Sequence, residues 1–205
     1  MMATMEPEAQ DLFGPLLAQD EQAAARLHAR LAAAAAADGV LDVAYRTVDT
    51  PLGTLLLAAT EQGLVRVAYP SQGHDAALAQ LAELVSPRIL SAPGRLDGVA
   101  RQLEEYFSRR RRVFDLPLDL RLARGFRHAV LAHLRQIPYG ATESYAQVAA
   151  AAGSPRAVRA AGTACATNPV PIVVPCHRVV RSDGSPGGYA GGPDAKRSLL
   201  TLEAA

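Results

Sequence analysis

The sequence predicts a mixed α/β protein of the α+β kind, with a small sheet-and-helix unit followed by a mainly helical unit. Three observations carry that reading. Residues 41–69 alternate with period two, Val43, Tyr45 and Thr47 marking one face, and Pro51-Leu52-Gly53 and Glu61-Gln62-Gly63 break the run into a three-stranded meander. Beyond residue 121 the apolar spacing becomes helical, and two short helices meet at a tight turn containing Gly153, as in a helix-turn-helix. Residues 168–192 then form a Pro- and Gly-rich stretch too long for an ordinary connection, and such loops are usually functional.

In chain order, residues 1–40 are Ala-rich and read as a helical extension. A helix is expected over 21–37, with Leu27 and Leu31 on one stripe and Asp38-Gly39 ending it. Residues 41–120 form the α+β unit. It has strands in 41–69, a helix at 76–85, a loop at 91–94, a helix at 96–108 and a further strand at 114–118. Residues 121–205 form the helical unit. Its helices are expected at 126–136, at 144–152, at 156–166 with Ser154 as cap and Pro155 in first position, and at 194–203.

Composition excludes several classes. The chain has 205 residues, 49% hydrophobic and 20% charged, an ordinary globular balance. No apolar run is long enough to span a bilayer, and no basic segment precedes an apolar one near Met1, so a cytoplasmic protein is expected. Net charge is +1, so any DNA binding must rest on a local basic face. The two cysteines, Cys165 and Cys176, have neither a disulfide framework nor zinc-ligand spacing; no metal and no cofactor is expected.

The chemistry concentrates at Asn168-Pro169-Val170-Pro171-Ile172-Val173-Val174-Pro175-Cys176-His177-Arg178-Val179. Three prolines stiffen the backbone, the apolar run anchors it, and Cys176 emerges beside His177 and Arg178. A thiol becomes a nucleophile when a base or positive charge favours its thiolate. His177 is a candidate base, but adjacent side chains of an extended segment point apart, so a bridging water or a tight turn is required. An acid is needed to orient it.

This segment resembles the active-site signature of the O6-alkylguanine-DNA alkyltransferases, through Asn168-Pro169-Val170-Pro171 and Pro175-Cys176-His177-Arg178-Val179. Further matches are Ile137-Pro138-Tyr139-Gly140, Ser144-Tyr145, the run from Gly153 to Ala160, Gly188-Tyr189-Ala190-Gly191-Gly192, Lys196, Leu199-Leu200 and Glu203. The resemblance is strong over 126–203, weaker from Leu41 and absent over 1–40. It implies a ribonuclease-H-like N-terminal domain and a winged-helix-like, helix-turn-helix alkyltransferase domain. Cys176 would accept the alkyl group, His177 would take its proton through a water, and Glu203 would orient His177. Tyr145 would hydrogen-bond the flipped guanine and Asn168 would brace the loop. Arg159 would be an arginine finger filling the space of the extruded base, on a helix whose small residues, Ala157 among them, suit a narrow minor groove. Arg127, Arg156, Arg178 and Arg181 are candidate phosphate contacts. Val179, Tyr189, Ala190 and Gly191 would line the lesion pocket, with Ala190 where relatives often carry serine. Arginine also stands at 109–112, where a glycine is expected after the helix.

The implied partner is double-stranded DNA carrying O6-alkylguanine, with O4-alkylthymine as a second substrate, and the protein would be a monomer able to pack cooperatively on DNA. Three alternatives compete. A lesion-binding relative would lack the reactive cysteine. A cysteine hydrolase would leave Arg159 and the helix-turn-helix unexplained. A regulator would carry a cysteine-rich zinc module.

Overall fold

The computed structural model describes residues 7–204. Residues 1–41 form one compact unit and residues 42–205 another. In the first, helix α1 (Pro7–Ala37) starts well before the expected residue 21. It closes at Gly39, φ +66°, with Val40 N–H donating to Ala35 O (2.9 Å), a left-handed cap that glycine adopts freely.

The second unit opens with the expected meander: β1 (Val43–Thr50), β2 (Gly53–Thr60) and β3 (Gly63–Ala68), antiparallel in sequence order. Helix α2 (His74–Leu84) follows. A fourth strand, β4 (Ile89–Ser91), pairs parallel with β1 and completes the order β3-β2-β1-β4. It begins just before the loop expected at 91–94; three residues are too short to show a period. Helix α3 (Asp97–Phe107) comes next. The strand expected at 114–118 does not form. The backbone of Asp115 is bonded on both sides by the Gln102 side-chain amide (2.8 and 2.9 Å), and only Leu118 bridges to Leu64. A Cβ on Gly63 would fall 2.2 Å from Pro117 O, so that approach requires glycine.

The helical segment contains α4 (Phe126–Leu134), β5 (Glu143–Ser144), α5 (Tyr145–Ala151), α6 (Val158–Ala166), β6 (Val179–Val180) and α7 (Gly192–Glu203). Ser144 caps α5, bonding Gln147 reciprocally (Gln147 N to Ser144 Oγ 3.3 Å, Ser144 N to Gln147 Oε1 2.7 Å). Helix α6 begins later than expected. Ala157 N–H donates to Ser154 O (2.8 Å), spending Pro155-Arg156 on a turn, and Ala157 rather than Ser154 is the cap residue. Helices α5 and α6, joined at Gly153 (φ +83°), form the helix-turn-helix.

The sheet is buried on both faces. Leu56 and Ala58 face α2, while Leu55 and Leu57 join a core cluster with Leu103, Tyr106, Val130, Leu134, Val148, Val174 and Leu199. That cluster runs across residue 120, so the segments on either side share one core. No helix among the described residues is long and apolar enough to cross a membrane.

Helix α3 ends in a Schellman turn: Arg109 N–H donates to Tyr106 O (3.0 Å) and Arg110 N–H to Glu105 O (2.8 Å). The left-handed position, φ +60°, is Arg109, where the sequence led us to expect glycine. A Cβ there costs about 1 kcal/mol. Arg109→Gly is therefore expected to raise stability by up to about 1 kcal/mol, read as a higher denaturant midpoint; an unchanged or lower midpoint would show that the side chain makes up the strain.

Candidate active site

The active-site loop departs from β3's neighbourhood with Asn168 at its root. Asn168 is buried. Its Oδ1 accepts from Val170 N–H (3.1 Å), and its Nδ2 donates to Val174 O (2.8 Å) and Cys176 Sγ (3.1 Å). One side chain thus closes the loop on itself and touches the thiol. Val174 N–H reaches back to Val170 O (2.9 Å), and Ile172 at the turn sits at φ +73°, a conformation that a β-branched residue holds only when packing over-determines it. Ile172 is buried in the main core cluster, which supplies that packing.

Cys176–Arg178 is one 3-10 turn, with Arg178 N–H on Pro175 O (3.0 Å). This is the tight turn that adjacent cysteine and histidine required. It does not bond them directly: the side-chain partner of Cys176 is Asn168, and His177 Nδ1 is buried without a protein partner. His177 Nε2 lies 3.0 Å from Glu203 Oε1. An ionised carboxylate accepts only, so Nε2 carries the proton and the Nδ1 lone pair is left to act as base.

Glu203, at the end of α7, is the hub. Oε1 also accepts from Tyr106 O–H (2.7 Å) and Arg178 Nη2 (2.8 Å); Oε2 accepts from Arg178 Nε (2.8 Å) and Gly140 N–H (3.3 Å). Gly140 must be glycine, since a Cβ would lie 2.9 Å from Glu203 O. Arg178 also donates to Ile137 O (2.5 Å) and is 7% exposed. The sequence reading placed Arg178 among the phosphate contacts. The structure corrects this: its guanidinium is buried and grips the Glu203 carboxylate at the end of α7 with two prongs.

These surroundings set the charges. Burial pushes the Cys176 thiol up to about 11, against the pull of the Asn168 bond and the Lys196 charge. Burial lowers the His177 pKa below its ordinary value, opposed by Glu203. For Glu203 burial pushes upward, but the bonds from His177, Arg178 and Tyr106 outweigh it and hold the carboxyl well below its usual range. At neutral pH the centre is a neutral thiol, a neutral imidazole and a Glu203–Arg178 ion pair.

Tyr145, the first residue of α5, is half-buried, and burial raises its pKa, which keeps it a phenol. Gly187 lies directly over its hydroxyl: a Cβ there would meet Tyr145 Oη at 2.2 Å. Lys196, fully buried on α7, donates Nζ to Val179 O (2.5 Å) and lies 5.8 Å from the Tyr145 ring centroid. Tyr189, Ala190 and Gly191 are half-buried on the same loop system, and Tyr189 meets the His177 ring edge-on (6.3 Å).

On the helix-turn-helix, Arg156 and Arg159 are exposed and Ala157 is half-buried. Ala161, Ala164 and Cys165 fill the inner face of α6. Arg181 is exposed. Arg127 donates Nη2 to Thr167 O (2.7 Å), and its Nε, like that of Arg66, is buried without a protein partner. Sequence reasoning singled out neither Arg66 nor Tyr106; a hydroxyl that bonds a residue far along the chain leaves no spacing signal. Tyr69 was missed in the same way, its aromatic ring being indistinguishable from core.

Fold and site define a protein in which a helix-turn-helix accompanies a buried cysteine, with a buried histidine next to it in sequence whose Nε2 is held by a clamped carboxylate. Comparison with known proteins gives that class its family. The family model for the ribonuclease-like domain of 6-O-methylguanine DNA methyltransferase matches residues 43–120, and that for its DNA binding domain matches residues 125–205. The methylated-DNA–protein-cysteine methyltransferase of Mycolicibacterium paratuberculosis is 40% identical over 161 residues, 78% of this chain and 92% of that protein. The crystal structure of Mycobacterium tuberculosis O6-methylguanine methyltransferase is 39% identical and aligns with a TM-score of 0.68, covering 79% of this chain and 93% of that one. The same organism's enzyme in complex with DNA aligns at 0.66, 38% identical, over 78% and 92%. The chain belongs to the 6-O-methylguanine DNA methyltransferase family.

Proposed function

We propose that this chain is a methylated-DNA–protein-cysteine methyltransferase that repairs O6-alkylguanine in duplex DNA, transferring the alkyl group to Cys176 in a single turnover. The observation that carries the reading is the Nδ1 lone pair of His177, buried and unpartnered one residue from a buried thiol, with its opposite nitrogen fixed by Glu203. A water bridging Sγ and Nδ1 passes the thiol proton to the imidazole. The thiolate attacks the alkyl carbon, the S–C bond forms, the C–O6 bond breaks, and its electron pair stays on the purine. Tyr145 donates its phenolic proton to the departing base and is reprotonated through the imidazolium or solvent. The thioether has no good leaving group, so the thiol is not regenerated.

The alkyl carbon reaches a buried thiol only if the base leaves the stack. Arg159 takes its place in the duplex from the minor-groove side, with Ala157 and the small outer residues of α6 allowing close approach. Tyr145, Val179, Tyr189, Ala190 and Gly191 form the guanine pocket, and Arg127, Arg156 and Arg181 hold phosphates. O4-alkylthymine presents the same exocyclic O-alkyl group and is a second substrate. The test is intact mass after incubation with a duplex carrying one O6-methylguanine. Wild type gains one methyl group per chain, mapped to Cys176, and Cys176→Ser gains none. Tight lesion binding with no mass gain in wild type would sink the transfer reading in favour of recognition without repair.

A further inference from the structure

The outer edge of β3 holds the active-site loop. Val67 N–H donates to Pro169 O (2.8 Å), tying the active-site loop to the strand. Two residues on, Tyr69 leaves the strand into a 3-10 turn whose backbone is locked: Tyr69 N–H donates to Gln72 Oε1 (3.0 Å), and Gln72 N–H returns to Tyr69 O (3.0 Å). The Tyr69 side chain is 1% exposed, and its hydroxyl lies 3.0 Å from that of Tyr189. The two rings meet edge-on at 5.7 Å. Gly191 rests on the same ring, since a Cβ there would fall 2.7 Å from it. A rigid element of the ribonuclease-like domain therefore holds the active-site loop at one point and the loop of residues 189–191 at another.

We infer that Tyr69 is a positioning residue that sets the width of the lesion pocket, and so the size of O6 substituent accepted, by anchoring Tyr189 through its hydroxyl and Gly191 through its ring. The inference rests on the alkyl-transfer reading above. A buried phenol with one polar partner fixes that partner's place, because the alternative is an unpaired hydroxyl in an apolar setting. Tyr189 in turn abuts His177 (6.3 Å), so the anchored wall faces the histidine that serves the thiol. Cutting the hydroxyl link frees the wall to yield to larger groups, while the ring still packs.

The experiment measures second-order transfer rates on duplexes carrying O6-methylguanine or O6-benzylguanine, for wild type, Tyr69→Phe, Tyr189→Phe and the double variant. In Tyr69→Phe the benzyl-to-methyl rate ratio is expected to rise about three- to tenfold, the size that one buried neutral hydrogen bond carries. Tyr189→Phe breaks the same link from the other side, so it gives a similar rise, and the double variant rises no further. A general loss of stability would lower both rates and leave the ratio in place. An unchanged ratio in folded Tyr69→Phe, with wild type still alkylated at Cys176, overturns the positioning role alone. Additive changes in the double variant overturn it too, because the two hydroxyls would then act separately. If wild type transfers neither group, the parent reading fails and this one with it.

Discussion

Glu203→Gln is expected to lower the alkyl-transfer rate by about two to four orders of magnitude, the range for losing an oriented general base. Glu203 accepts from His177, Arg178, Tyr106 and Gly140 together. An amide of the same shape can present its NH2 to His177 and so stabilise the tautomer with the proton on Nδ1, the atom that must accept one. It also leaves Arg178, 7% exposed, as a buried charge without its counter-ion. Removing one partner of a buried pair costs about 3–5 kcal/mol, so denaturant melts should show a large loss of stability alongside the lost rate. pH separates the two effects. The Glu203 carboxyl is held below its ordinary value of 4.5, so its contribution to stability is fully present above that pH and is lost as pH falls through the folded value. The stability gap between wild type and variant should therefore narrow on acidification below about pH 4.5. A gap that is constant from pH 7 to pH 3, or transfer within a few fold of wild type, would remove Glu203 from the role given to it.

Arg159→Ala is expected to lower repair of duplex O6-methylguanine by about 10²-fold or more, because extruding a base costs a few kcal/mol of stacking and pairing that the inserted side chain offsets. Arg159 is exposed and outside the core, so stability should change by no more than about 0.5 kcal/mol. The informative comparison is with free O6-benzylguanine, which needs no extrusion; there the loss should be far smaller. Equal losses on both substrates would mean that Arg159 serves the chemistry, and no loss on the duplex would remove the finger role.

The meander, α4 and the helix-turn-helix were legible because their apolar periods are long and their turns carry Gly or Pro. The adjacency of Cys176 and His177 was visible; the turn that carries them was not, because a 3-10 turn of three residues has no periodic signature. Glu203 could be singled out only through the family resemblance, since a glutamate near a helix end ordinarily reads as solvated. Arg178 was misplaced because an arginine beside a nucleophile looks like a phosphate contact, and only its partners show it to be buried. Tyr69 and Tyr106 were not singled out, because their hydroxyls find partners 120 and 97 residues away. Helix α6 starts late because Ser154-Pro155 serves a turn as readily as a cap. Local sequence therefore yielded most of the elements and the candidate nucleophile, and the long-range polar bonds around it came from the fold.

Sheet edges invite self-association, because unpaired strand backbone is a template for another chain. One edge of this sheet, β4, is only three residues long. The other, β3, spends Leu64 on the 117–119 segment and the Val67 N–H on Pro169. The loop that holds Cys176 is thus also part of the cover over the longer edge. A substitution that loosens Asn168 or Pro169 would therefore disturb the setting of Cys176 and uncover strand backbone at the same time.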